Sequence, residues 1–357
     1  MTTDLAPAPA TTTQLSLQHA RLPRLATPIA GTVAVVASAL IGLILGWGVA
    51  PVVIVAVLLF LVGLTTWSRL VENARAATDR LVTSLVWVAL GIALIPLVSL
   101  LIKVVSEGAP SLNSKFLTYS MRNVIGEPGG IYHAIIGTVL ITLAATVISV
   151  PIGLFSAIYL VEYGGGSRLA RAIRFLVDVM TGIPSIVAGL FAYSLFSLIL
   201  GPGAQLGVGG GVALSLLMIP IVVRSAEEML KLVPTDLREA SYALGVPQWK
   251  TIVKVVLPTA MSGIITGVTL AIARVIGETA PLLIIAGSTD SVNFNLFGGQ
   301  MASLPVFIYS SYTQPGTNPE ILRGMAWGAA LILIIIVLVL NVLARIAGRF
   351  FAPKTGH

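Results

Sequence analysis

Two ionisable residues stand where a bilayer-spanning helix is expected, Arg274 and Glu278 in the segment ARVIGETAPLL, and nothing else titrates between Lys254 and Asp290. A charge within hydrocarbon costs at least ~2.5–3.5 kcal/mol on insertion scales, so such residues face a bundle interior or an aqueous path. Their i, i+4 spacing predicts that both lie on one helical face. The guanidinium of Arg274 suits an oxyanion, because its planar fork donates two parallel hydrogen bonds and never loses its charge. Glu278 would then either orient the guanidinium or weaken its grip, since a conducting site must release what it accepts. The competing reading is a neutral pair that only holds helices together. Against it, Arg N-terminal to Glu is the weaker order for helix support. Gly277 and Pro281 also loosen the same turn, which suits a lining that moves.

Three further features could belong to such a path. Arg224 closes a predicted span, where it is either part of the path or an ordinary cation at the membrane surface. In TGIPSIVAGL, Gly182 and Pro184 interrupt the fifth predicted span, and Thr181 and Ser185 are placed to satisfy the freed backbone. That break reads equally as a path lining or as a packing kink. Asp178 lies one turn after Arg174, and a local ion pair between them is expected. Covalent chemistry is not expected anywhere. The chain has no cysteine, and its three histidines, His19, His133 and His357, are far apart in sequence. A P-loop needs Lys after Gly, and none of the six lysines follows a glycine.

The elements that must hold these residues are membrane helices. The chain is 56% hydrophobic and only 10% charged, with mean hydropathy +0.98, whereas soluble domains carry roughly 25% charged residues. At ~20 apolar residues per crossing, eight spans are expected near 28–47, 50–67, 82–104, 132–160, 175–200, 211–224, 256–287 and 323–344. The first two come from one uncharged run folded back at GWGVAP, a pairing unlike a signal peptide. Residues 68–80 read as a short interfacial helix, residues 1–25 as a disordered cytoplasmic tail and 348–357 as a second tail. Sixteen of the 21 Lys and Arg then fall on one side, which places both termini in the cytoplasm. The net charge of +7 is scattered over loops, so lipid rather than nucleic acid accounts for it. The expected fold is therefore all-α and polytopic: an N-terminal hairpin, 26–68, a linker, 69–81, and a six-span core, 82–347.

One cytoplasmic segment is neither apolar nor loose. Thr235 can N-cap a helix from Asp236, with Asp236 and Glu239 at its positive end. Leu237, Ala240, Ser241 and Leu244 share a face. Gly245 is placed to stop the helix in the left-handed conformation, and Pro247 prevents its continuation. Such a helix either lies on the membrane or presents a rigid knob to a soluble partner.

Here the residues resemble a known family. Permeases of ABC importers carry, before their penultimate span, the pattern E-A-A, three residues, G, nine residues, I-x-L-P. This chain has Glu239, Ala240, Ser241, then Gly245, then Val255-x-Leu257-Pro258 at the same spacing, departing at Ser241 and Val255. The resemblance implies that the helix at 235–245 docks on a separate ATPase subunit and passes its movement to the spans. A fuller resemblance, to the A-type permease subunit of phosphate ABC importers (PstA-like), covers roughly 82–347. It rests on TGIPSIVAGL, EEMLKLVPTDLREASYALG, ARVIGETAPLL, MASLPVFIY and AWGAALIL. The N-terminal hairpin lies outside it, and nothing in the sequence accounts for the hairpin's role.

That resemblance implies a type I importer core in which Arg224 and Arg274 serve phosphate passage. It implies as partners a homologous C-type permease subunit, a dimer of ATPase subunits that binds ATP and Mg²⁺, and an extracytoplasmic phosphate-binding protein facing the loop 288–322. The chain itself would hold no cofactor and no metal. Spacing and charge leave sulfate or molybdate as rival cargoes. A self-sufficient ion-coupled transporter and a signalling scaffold are rivals of other classes.

Overall fold

The computed structural model describes residues 21–124, 129–316 and 318–351. His19 and His357, and most of both tails, lie outside these. Every element among the described residues is helical, and the chain separates into two compact units that meet in sequence at Leu100 and Leu101. Among the described residues, seven helices are long and apolar enough to cross a membrane, or eight if one bent pair counts as a span.

In the first unit, α1 (Ala26–Leu45) and α2 (Val49–Val71) form the expected hairpin. Gly46 ends α1 at φ +65°, a left-handed conformation that costs glycine nothing. Residues 68–80 are not a separate interfacial helix. The break is confined to Glu72 and Asn73, after which α3 (Ala74–Gly108) begins, so the linker belongs to the ends of two longer helices. Glu72 holds that corner. Its carboxylate accepts from Leu22 N–H, Ser68 Oγ and the Arg80 guanidinium, all at 2.7–2.8 Å. Those donors hold the Glu72 carboxyl at about 2, well below its ordinary range. Leu22, expected within a disordered tail, is therefore buried and tied down.

In the second unit, after α4 (Ser114–Thr118), α5 (Tyr132–Ile158) crosses and closes in a π-helical turn, Tyr159–Tyr163. The fifth expected span is resolved into α6 (Arg168–Thr181) and α7 (Ser185–Leu200), bent by 109° at the Gly182–Pro184 corner. The reason is composition as well as proline. α6 carries Arg168, Arg171, Arg174 and Asp178, too many charges for hydrocarbon, while Pro184 bars a continuous ladder.

The centre of this unit is α8 (Gly207–Lys231), whose best apolar window is 61% buried, against 33% or less for any other spanning helix. It extends a turn or more beyond 211–224 at each end. Small residues bring its neighbours close: a Cβ on Gly211 would stand 2.8 Å from Ala144 Cβ of α5. The polar helix α9 (Thr235–Ala243) follows, then α10 (Gln248–Thr251), a π-helical turn at Ile252–Val256, and α11 (Leu257–Val275). The expected span 256–287 is interrupted: α11 stops at Val275, and α12 (Ala280–Ile285) starts anew after Gly277. Ile141, Leu214, Met218, Val275 and Leu282 pack where α5, α8, α11 and α12 converge. A loop leads to α13 (Leu304–Thr313), and α14 (Pro319–Phe351) closes the bundle.

Candidate functional site

The polar helix α9 is fixed at both ends, though not as expected at the first. Thr235 is already helical. Pro234 takes the capping position without a side-chain bond, its ring presetting the entry of the chain. At the other end the expectation holds. Gly245 sits at φ +73°, its N–H bonds Tyr242 O, and Val246 N–H reaches back to Ser241 O. This crossed pair satisfies carbonyls that a helix end leaves orphaned.

Below this cap, Ser241 Oγ meets Thr251 Oγ1 at 2.8 Å in a buried contact, so α9 and α10 are joined side to side. Ser241, where the motif has Ala, thus has a structural use for its hydroxyl. Leu244 is 83% exposed; Leu237, Glu239, Ala240 and Gly245 are exposed too. Pro258 is an exposed residue in the first turn of α11. The helix therefore offers an unpartnered apolar and acidic surface while its underside is bonded down.

What bonds it down escaped the sequence. Arg238 sends Nε and Nη2 to Glu162 Oε1 at 3.2 and 2.8 Å, Nη1 to Val233 O at 2.6 Å and Nη2 to Leu230 O at 2.9 Å. The Gln248 amide donates to Glu162 O at 2.7 Å. Glu162 stands alone at the end of an apolar run, and that isolation was the one available signal.

The charges expected to mark a path are distributed differently. Arg274 is exposed in the last turn of α11. Glu278 lies beyond the helix end, its N–H bonded to Val275 O, so the two do not share a helical face. Among the described residues neither forms an ion pair. The physical reason is the loosened turn at Gly277, which ends α11 before Glu278 can come round beneath Arg274. Arg224 does have a partner, the Asp178 carboxylate of α6. Arg174 pairs not with Asp178 but with Glu227 at 3.3 Å, and Glu227 also takes Lys231 at 2.8 Å. The local Arg174–Asp178 pair is thus replaced by two links between α6 and α8. Thr181 Oγ1 returns to Val177 O at 2.9 Å within its own helix, and Ser185 opens α7. Neither hydroxyl caps the corner between them.

Residues 149–357 match the family model described as "Binding-protein-dependent transport system inner membrane component". The chain belongs to this family. Within it, the Phosphate transport system permease protein PstA 1 of Mycobacterium tuberculosis (strain CDC 1551 / Oshkosh) is 49% identical over 292 residues, covering 81% of this chain and 92% of that protein. The PstA protein of Mycobacterium leprae is 47% identical over 80% and 93% of the two chains, and that of Pasteurella multocida 38% over 79% and 98%. Among solved structures, a bacterial alginate ABC transporter in complex with its pentasaccharide-bound periplasmic protein has a chain that superposes with TM-score 0.57 at 13% identity, over 78% of this chain and 97% of that one. That likeness shows a shared fold. The matched residues of this inner membrane component take in α9, the α6–α8 charge links and Arg274, whereas the N-terminal hairpin lies outside them.

Proposed function

We propose that this chain is the membrane-spanning permease subunit of an ATP-driven, binding-protein-dependent importer of inorganic phosphate. The observation that carries the reading is the extent of its likeness to phosphate permease proteins, 49% identity across nearly the whole of one of them. Alginate is an acidic polysaccharide and phosphate a small inorganic anion, so the architecture common to both transporters supports the machine and the close relatives support the cargo.

The ATPase is a separate dimer that holds ATP and Mg²⁺ and seats the exposed face of α9 around Leu237, Glu239 and Leu244. A homologous permease subunit completes the path, and a phosphate-binding protein delivers to the loop 288–322. Both chain termini lie in the cytoplasm. Binding-protein docking and ATP closure reach the spans through α9, whose ends are fixed by Pro234 and Gly245.

The arginines then act in two different ways. Among the described residues Arg274 pairs with no carboxylate, and its guanidinium is exposed, so it receives an anion directly. Arg224 is already engaged by Asp178, so an anion reaching it must displace a carboxylate. The first receives and the second hands on, which suits a path that has to release its cargo inward. Phosphate uptake by proteoliposomes holding the complete complex tests this. Arg274→Gln should abolish uptake while the complex still assembles; normal uptake would remove Arg274 from the path. Labelled phosphate uptake should resist competition by sulfate and molybdate, and strong competition would reassign the cargo.

A further inference from the structure

We propose that Arg238 and Glu162 form the clamp that delivers movement of α9 to the membrane helix α5, making both positioning residues for transport. The inference rests on the reading of α9 as the element that receives the ATPase. An exposed lever moves its own chain neighbours, here α8 and α10, through the backbone. To move α5, which is distant in sequence, it needs a bonded connection, and Arg238 supplies one across 76 residues.

Three features distinguish this pair from a surface ion pair. The side chains are only 15% and 5% exposed, and Glu162 Oε1 accepts from both Nε and Nη2 of Arg238. Arg238 has three acceptors: the Glu162 carboxylate in the π-helical turn that continues α5, the carbonyl of Leu230 in α8, and that of Val233 just beyond it. One guanidinium thus ties α9, α8 and α5 together, a geometry that its planar fork permits and an ammonium does not. Gln248 adds a second tie, to the backbone of the same Glu162.

The clamp also ends on a soft place. Glu162 lies in the π-helical turn Tyr159–Tyr163, where Gly164 N–H bonds Tyr159 O at 2.6 Å. The other attachment of α9, Ser241 to Thr251, adjoins the second π-helical turn, Ile252–Val256. Each such turn holds one residue more than an α-turn and recurs at functional sites. Two spans are therefore gripped at or beside turns that depart from the α-helical ladder.

The complete complex, reconstituted in proteoliposomes, gives the decisive readout: phosphate taken up per ATP hydrolysed. Arg238→Gln and Glu162→Gln should each retain the ATPase subunits and hydrolysis, yet lower that ratio about tenfold, within the range found for mutations between coupled sites. Arg238→Lys, which keeps one charged bond to Glu162, should fall between. A merely structural role would reduce uptake and hydrolysis in proportion and leave the ratio unchanged, which overturns the proposal. Should either single variant fail to accumulate, the double Gln variant, which strands no buried charge, is measured instead; a normal ratio there also overturns it. Leu244→Asp separates this inference from the reading beneath it. If that variant sheds the ATPase while Arg238→Gln couples normally, the clamp alone fails. If Leu244→Asp transports normally with the ATPase bound, the lever itself is lost.

Discussion

Asp178 of α6 accepts a hydrogen bond from the guanidinium of Arg224 on α8, 46 residues away, and both side chains remain more than half exposed. An exposed pair of this kind adds only about 0–1 kcal/mol to stability. Its effect on an anion that uses Arg224 is larger in consequence, because the carboxylate competes for the same donors. Asp178→Asn should therefore leave the complex intact while lowering both KM and the maximal rate of phosphate uptake, each by roughly threefold, the equivalent of about 0.6 kcal/mol. Tighter holding with slower release is the expected signature, and unchanged kinetics would place Arg224 off the path.

Gly245 occupies a left-handed conformation that a side chain resists by about 1–2 kcal/mol. Nothing crowds the position itself, so conformation is the whole cost. Gly245→Ala should loosen the end of α9 and reduce uptake per ATP, and Gly245→Pro should uncouple hydrolysis from uptake while the subunits still copurify. Coupled transport by the proline variant would show that this cap has no mechanical role.

Gly211 makes a structural prediction independent of transport. Its absent side chain lets α8 approach α5 at Ala144. Gly211→Leu would overpack a helix pair at the centre of the bundle, at a cost of about 1–3 kcal/mol or more. The variant should melt earlier in detergent and accumulate poorly; a melting point equal to that of the parent would mean the helices can part there freely.

The Glu72 corner should respond to acid. Its carboxyl is depressed in the folded chain to about 2 from an ordinary 4.5, so its contribution is complete above 4.5 and disappears as pH falls toward 2. Protease susceptibility of the α2–α3 corner should rise across that window. Glu72→Gln should show the raised susceptibility already at neutral pH and lose the acid dependence, and an unchanged acid response in that variant would assign it to other groups.

Much of this protein was legible in its sequence, because a bilayer leaves so few alternatives. Apolar runs must be helices, since unbonded backbone cannot stand in hydrocarbon. Gly46 and Gly245 had to turn the chain where they do, because left-handed backbone is open to glycine at no cost. The residues around Glu239 marked a short helix that Gly245 would end, and the structure has both. Tertiary structure decided what lay between helices. Arg174 was expected to pair within its own helix and instead crosses to Glu227, because α8 brings a buried carboxylate within reach that local spacing cannot reveal. Arg238 looked like one more cytoplasmic cation, yet it is half-buried and tied to Glu162. Glu278 looked like a helical neighbour of Arg274, yet the ladder ends before it. Periodicity reports which residues share an element; which elements come together, and which turn gives way, depends on packing between segments far apart in the chain.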